Sequence, residues 1–146
     1  MNTTRFTEIC YPLVCIHADS VAAGEVNSGY VALRDYNRAV VLIDVGDMGS
    51  SATFDVDIEQ ATDTSGTSAK AITGKSITQL TQAGGDSDDI LAVEIMTDEL
   101  DVDNGFDCIN AEVTVGTAAV ECSVWIIGFD PRFAPVSTTA WTEVVT

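Results

Sequence analysis

The chain has 146 residues, of which 46% are hydrophobic, and it carries a formal net charge of −17 from 23 acidic and 6 basic residues. This length is typical of one domain, and the hydrophobic fraction excludes a disordered acidic tail. The charge makes nucleic acids and anionic membrane surfaces poor partners, because it repels phosphate groups. No run reaches the roughly 20 apolar residues that a membrane-spanning helix needs.

The first 30 residues are predicted to form an N-terminal arm, or a short helix followed by a loop. Pro12 disfavours a long helix, and the stretch AAGEVNSGY at 22–30 is rich in glycine and polar residues, which indicates a loop. The start lacks the basic region and the longer apolar region of a secretory signal. We therefore expect the protein to be made and folded in a cytoplasm.

The middle of the chain contains several predicted strands. Residues 39–45 (AVVLIDV) are nearly all apolar, which indicates a central strand covered on both faces. Residues 52–59 (ATFDVDIE) alternate strictly, so Phe54, Val56 and Ile58 should point inward beneath an acidic outer face. Further strands are predicted at 70–73, 76–81 and 90–96, the last with Leu91, Val93 and Ile95 inward.

Residues 106–115 and 119–129 are predicted to pair as a hairpin through Gly116 and Thr117. In the second strand the outward residues Trp125, Ile127 and Phe129 are apolar, although the inward residues are apolar as well. Something must cover that side. The N-terminal segment, the C-terminal tail and a neighbouring subunit are the alternatives.

Seven or eight short strands with regular turn signals and no long helix predict an all-β fold. We expect an antiparallel β-sandwich, with a jelly roll as the preferred topology. The predicted organisation is an N-terminal arm or short helix plus loop at 1–30, a sandwich domain at 31–130 and an extended C-terminal tail at 131–146.

The sequence is poorly supplied for catalysis. His17 is the only histidine, and Cys15 two residues before it has no flanking glycine-rich elbow. Cys10 and Cys15 are five residues apart, which is not the spacing of zinc or redox pairs, so free structural thiols are expected. We expect no enzyme activity, no catalytic residue and no cofactor.

The acidic run 98–107 (DELDVDNGFD) invites comparison with a calcium loop. An EF-hand loop needs oxygen ligands at positions 1, 3 and 5 and glycine at position 6. With Gly105 at position 6, Val102 and Leu100 fall at positions 3 and 1, so the pattern fails. We expect no metal site, although a calcium site of another kind, sharing Asp86, Asp88 or Asp89, stays open.

Four runs carry a family resemblance: RDYNRAVVLIDVGDM (34–48), FDVDIEQATDTSGTSAKAITGKSITQLT (54–81), ELDVDNGFDCINAEVTVG (99–116) and IIGFDPRFAPV (126–136). Together they resemble small structural proteins encoded among the head genes of tailed bacteriophages. The resemblance implies a β-sandwich that sits on the outside of the capsid as a cement or decoration protein, often as a homotrimer. It implies the major capsid protein as partner, the virion as location and the host cytoplasm as the place of synthesis.

The residues expected to contact the capsid or another subunit are Phe129, Arg132, Phe133 and Trp141. Aromatic rings bury large areas at small entropic cost, and Arg132 is the only basic residue after Lys75. A tail or connector subunit is one alternative. A carbohydrate-binding jelly roll is another, with Trp141 as the platform beside Thr138, Thr139 and Glu143.

Overall fold

Alternation of apolar and polar side chains produces ten strands in the computed structural model, which describes residues 4–145. The strands are β1 (Cys10–Val21), β2 (Gly24–Asn27), β3 (Val31–Ala32), β4 (Tyr36–Met48), β5 (Thr53–Ala61), β6 (Lys70–Ser76), β7 (Leu80–Thr81), β8 (Ile90–Met96), β9 (Cys108–Gly116) and β10 (Val120–Pro131). One helical turn, α1 (Phe6–Ile9), precedes them, and 3₁₀ turns occupy Gln82–Gly84, Thr97–Glu99 and Val102–Asn104.

The strands form two sheets, and all the pairings between strands are antiparallel. Sheet A has the order β1-β10-β4-β8, and sheet B has the order β2-β9-β5-β6, with β3 also paired to β9 and β7 to β5. The predicted all-β antiparallel sandwich is therefore confirmed.

The core lies between the two sheets. Sheet A contributes the inward residues of β4 and β10, such as Val41, Ile43 and Val124, and sheet B contributes those of β5 and β9. Phe54, Val56 and Ile58 are buried as predicted, whereas the acidic residues between them lie on the other side of β5.

The N-terminal prediction is wrong for most of its length. A short helix is present at α1, but Cys10–Val21 forms an edge strand of sheet A and Gly24–Asn27 an edge strand of sheet B. Register shifts after Pro12 and after Ile16 break the alternation, so the pattern was hidden in the sequence. A proline without an N–H is tolerated at such an edge. Residues 1–3 of the predicted arm lie outside the described range.

The predicted hairpin between residues 106–115 and 119–129 is also wrong. Strand β9 pairs within sheet B and β10 within sheet A, so residues 117–119 cross from one sheet to the other. Gly49 supports this crossing, since a Cβ on it would lie 2.8 Å from the Ala118 Cβ. The backbone N–H of Gly49 donates to the Ala119 carbonyl at 2.8 Å.

The remaining boundaries differ in detail. Strand β6 runs continuously through Gly74, whose φ is +77°, and β7 is only two residues long. The sandwich begins at Cys10 rather than at residue 31 and ends at Pro131. Residues 132–145 form no strand or helix, as predicted for the tail, and Thr146 lies outside the described range.

Truncation of a core side chain should destabilise the fold strongly. Phe54 is completely buried between the sheets, so Phe54→Ala should lower the free energy of unfolding by about 3–5 kcal/mol. Ile90→Ala, at a residue that is 79% exposed, is the matched control and should change it by less than about 0.5 kcal/mol. Urea denaturation measures both, and equal losses would contradict the assignment of the core.

Candidate functional site

The outer face of sheet A carries an unusual concentration of apolar side chains. The strand register aligns three rows of outward residues across its four strands. These rows are Cys10, Phe129, Arg38 and Met96; then Pro12, Ile127, Val40 and Glu94; then Cys15, Trp125, Leu42 and Ala92. We call these twelve positions the apolar block, in which only Arg38 and Glu94 are charged.

The apolar block faces outward, and the rest of the described chain covers it only in part: Cys10 is buried, and Ile127 and Phe129 are half-buried. Leu42 is 39% exposed, Met96 44% and Trp125 37%. The prediction that strand 39–45 is covered on both faces is therefore wrong for its outer face. Since strands β1 and β4 flank β10 within the same sheet, they leave the outer face of β10 open.

The size of the apolar block suggests a contact surface. Three rows spaced by two residues and four strands about 4.8 Å apart cover roughly 400 Å². The largest apolar patch on a monomeric protein is typically of this order and is often functional. Between its side chains and Phe6 of α1 lies a shallow groove of about 260 Å³, lined also by Cys10, Val40, Leu42, Glu94, Ile127 and Phe129.

The structure does not bring the four predicted contact residues into one cluster. Phe129 belongs to the apolar block and is half-buried, whereas Phe133 projects from the tail and is 82% exposed. The backbone N–H of Arg132 donates to the Asp35 carbonyl at 2.9 Å, and its side chain is exposed. Trp141 lies further along the tail, where its ring packs edge-on with that of Phe6, with the ring centroids 6.5 Å apart.

The C-terminal tail folds back onto the N-terminal segment of its own chain. The Val136 N–H donates to the Glu8 carbonyl at 3.1 Å, and the hydroxyls of Tyr11 and Thr139 lie 3.1 Å apart. Val136 is buried by this packing. The tail thus covers α1 and the start of β1 and leaves Trp125 partly exposed.

The side chains proposed for sugar binding are partly engaged inside the chain. The Trp141 ring is half-buried against Phe6, and its indole N–H is buried without a hydrogen-bond partner. The Thr139 hydroxyl contacts Ser137 and Tyr11. An open stacking platform needs an exposed ring face with free hydrogen-bonding groups beside it, and this arrangement offers little of either.

Cys15 and His17 lie side by side at the outer edge of sheet A. The Cys15 Sγ is 3.5 Å from the His17 Nδ1. The His17 and Trp125 rings pack edge-on, with their centroids 6.5 Å apart. A nucleophile–base pair also needs a third group to orient the imidazole. Among residues 4–145, the His17 ring accepts or donates no hydrogen bond with a carboxylate.

The four cysteines are free thiols, as predicted. Burial raises the pKa of Cys108 to about 12, with a further contribution from Asp107, and raises the pKa of Cys122 to about 11. Burial likewise raises the pKa of Cys10. Thiols held protonated in this way act as small hydrophobic residues.

The acidic run 98–107 pairs with lysines. Lys70 Nζ lies 2.6 Å from an Asp101 carboxylate oxygen, and Lys75 Nζ lies 2.8 Å from Glu99. These cations lower the pKa of both carboxyl groups. Within the described part of the chain, no group of three or more His, Cys, Asp or Glu side chains is arranged to hold a metal ion.

The outer face of sheet B is acidic. The register places Glu112 opposite Asp57 and near Glu59, and Glu25 lies on the neighbouring strand β2. Burial is the main cause that raises the pKa of Glu112, and the negative charges of Glu59, Glu25 and Asp57 add to it. The sandwich therefore carries an apolar block on the outer face of sheet A and an anionic outer face on sheet B.

A buried asparagine anchors a loop to this acidic sheet. The Asn110 Oδ1 accepts hydrogen bonds from the Ser28 hydroxyl at 3.1 Å and the Gly29 N–H at 3.0 Å. Its Nδ2 donates to Asn27 at 2.6 Å and to Glu59 at 3.2 Å. Because Asn110 is fully buried and its polar atoms are all partnered, the network orders the β2–β3 connection.

Comparisons of the chain with protein-family models, with curated proteins and with solved structures found no match. Across residues 4–145, no helix has both the length and the apolar character required to cross a bilayer. The site is therefore defined by its own geometry: the apolar block on sheet A, opposite the acidic face of sheet B.

Neutralising Glu112 should stabilise the protein at neutral pH. Folding raises the pKa of this carboxyl group, so its ionised form costs stability above the raised pKa, and the cost vanishes below the ordinary value of 4.5. Glu112→Gln should raise the melting temperature by a few degrees at pH 7 and leave it unchanged near pH 4.

Thermal unfolding followed by circular dichroism measures this difference. Glu143→Gln removes one charge from the exposed tail and is the matched control, with no expected effect at either pH. A lower melting temperature of Glu112→Gln at pH 7 would show that the carboxylate is stabilised by its surroundings instead.

Proposed function

We propose that this chain is a non-enzymatic structural protein of a virion, which binds the outer surface of the capsid as a cement or decoration protein. Its partner is the major capsid protein, and three copies assemble into a homotrimer. The resemblance of residues 34–136 to phage head proteins supports this role. The single structural observation that carries it is the apolar block, because an exposed apolar patch of this size is often a functional contact site.

The strand order supports a jelly-roll topology for the domain. If β2 with β3 and β6 with β7 each count as one strand, the chain has eight strands. The first then pairs with the eighth, the second with the seventh, the third with the sixth and the fourth with the fifth. This nested pairing is what one long antiparallel hairpin rolled into two sheets produces.

The opposite chemistry of the two faces suits attachment to a large particle. Burial of unpaired carboxylates costs several kcal/mol each, so the acidic face of sheet B favours solvent. The apolar block contains one carboxylate, Glu94 on the edge strand β8, so covering it costs much less. The protein therefore has one preferred side for contact, as a subunit lying on a shell requires.

The area of the apolar block fits repeated weak contacts. Two surfaces of roughly 400 Å² bury about 800 Å² in total, which is below the 1,200 Å² of a stable interface between two proteins. A fixed lattice compensates for weak single contacts, because each bound copy raises the effective concentration of the next contact. A cement protein bridging neighbouring capsid subunits uses this effect.

Binding to capsid shells tests the proposal. Tagged protein is added to shells of the parent phage made without this gene, and bound protein is measured after sedimentation. The wild type should bind these shells when they are filled with DNA. Leu42→Ser should weaken binding by about tenfold, because it removes an exposed apolar side chain in the third row of the block.

Val102→Ser is the matched control, since Val102 is exposed in a 3₁₀ turn outside the block and should bind like the wild type. Recovery of the protein from purified tails and not from heads would replace this proposal by a tail or connector role. A hydrolase activity lost in a His17→Ala variant would reject the non-enzymatic class.

A further inference from the structure

An acidic cleft lies beyond the third row of the apolar block, on the same face of sheet A. Its volume is about 420 Å³. Its carboxylates come from three adjacent strands: Asp19 from β1, Glu121 from β10 and Asp44 from β4. The remaining lining residues are Ala18, Ser20, Gly46, Cys122 and Ser123.

Irregular strand pairing opens this cleft. The register of β1 with β10 shifts between Ile16 and Asp19, and that of β10 with β4 shifts between Val120 and Cys122. Bulges of this kind bend a strand and redirect its side chains. Gly46 keeps the floor of the cleft free of side-chain atoms, because a Cβ at this position would lie 3.4 Å from the Glu121 Cβ.

The carboxylates of the cleft have no cationic partner within the described chain. The ion pairs between residues 4 and 145 are Arg38 with Asp130, Lys70 with Asp101 and Lys75 with Glu99, and none of them lies in the cleft. The outer face of sheet A thus presents an apolar surface with unpaired carboxylates at one end.

The charge also selects the occupant. In a two-fold contact, a second copy of a chain with net charge −17 would bring its own acidic cleft towards this one, and like charges facing each other disfavour such a contact. A bound metal ion fits poorly, since no three acidic side chains of the described residues converge closely enough to ligate one. An arginine side chain needs no such convergence, because the five N–H donors of its planar guanidinium spread over several ångströms.

We infer that the apolar block and the acidic cleft form one docking surface, whose partner presents an apolar contact area with a projecting arginine. The cationic head enters the cleft between Asp19, Asp44 and Glu121, and the apolar area covers Trp125 and Leu42. The inference rests on the proposed function only for the identity of this partner as a capsid subunit.

The probe is n-pentylguanidinium chloride, which has an apolar stem and the head group of arginine. It is titrated into ¹⁵N-labelled protein, and amide shifts are followed by NMR. Residues 18–20, 44–46 and 121–123 should shift together and saturate in the millimolar range. In the double variant Asp44→Asn, Glu121→Gln, apparent affinity should fall by about tenfold, as removal of two charge-assisted contacts implies.

The matched control is the double variant Asp57→Asn, Glu112→Gln on the outer face of sheet B, which should leave the shifts of the cleft unchanged. Equal shifts on sheet B and in the cleft would show unspecific attraction to negative charge and overturn the inference. So would tighter saturation of the cleft by CaCl₂ than by the probe. Shifts in the apolar block that grow with protein concentration alone would show that a second copy occupies it.

The capsid-binding assay separates this inference from the proposed function. If shells bind the wild type and the cleft double variant equally, the proposed function stands and the docking of a basic side chain is wrong. If the protein binds no capsid shell but the probe saturates the cleft as expected, the inferred docking of a basic side chain stands and the capsid as partner is wrong.

Discussion

The packing of sheet A against sheet B is the interaction on which the rest of this structure depends. A strand has only two faces, and one face of every long strand is used to fill the interior. The side chains of opposite parity are then committed to the outside of the molecule, whatever their chemistry. In sheet B that outer set is acidic. In sheet A it is apolar over three rows, so the same packing rule that buries Val41 and Val124 leaves Leu42 and Trp125 at the surface.

This asymmetry makes the two outer faces of a small acidic protein chemically different. The negative charge of sheet B favours water and resists close approach by another anionic surface. The apolar outer face of sheet A has the opposite preference. A protein of uniform surface charge offers no preferred side to a partner, whereas a sandwich with two unlike faces can dock by one of them.

Local irregularities refine that surface. The bulges in β1 and at the start of β10 do not disturb the core, because Val120 and Val124 remain buried on either side of the shift. On the outer face the same shifts open the acidic cleft at one end of the apolar block. Bulges at sheet edges commonly redirect side chains in this way. The chain thereby places charge beside an apolar surface without burying a carboxylate in the core.

The sequence by itself determined the strands whose alternation is unbroken. Residues 52–59 and 90–96 could be assigned with their inward and outward faces, because period two depends only on neighbouring residues. It also indicated that β10 is apolar on both sides, which is the first sign of the apolar block. The free state of the four thiols and the absence of strands in the tail followed from spacing and composition alone.

Only the tertiary structure decided which strands are neighbours and which segments cover the outer faces of the sheets. The bulges at Pro12 and after Ile16 hid β1, and no local pattern shows that residues 117–119 cross between sheets. Leu42, Trp125 and Ala92 are far apart in sequence and become adjacent through strand register. The acidic cleft likewise joins three strands. Pairing between distant segments depends on the fit of the whole core, and this is why the apolar block and the acidic cleft could not be derived from any one segment.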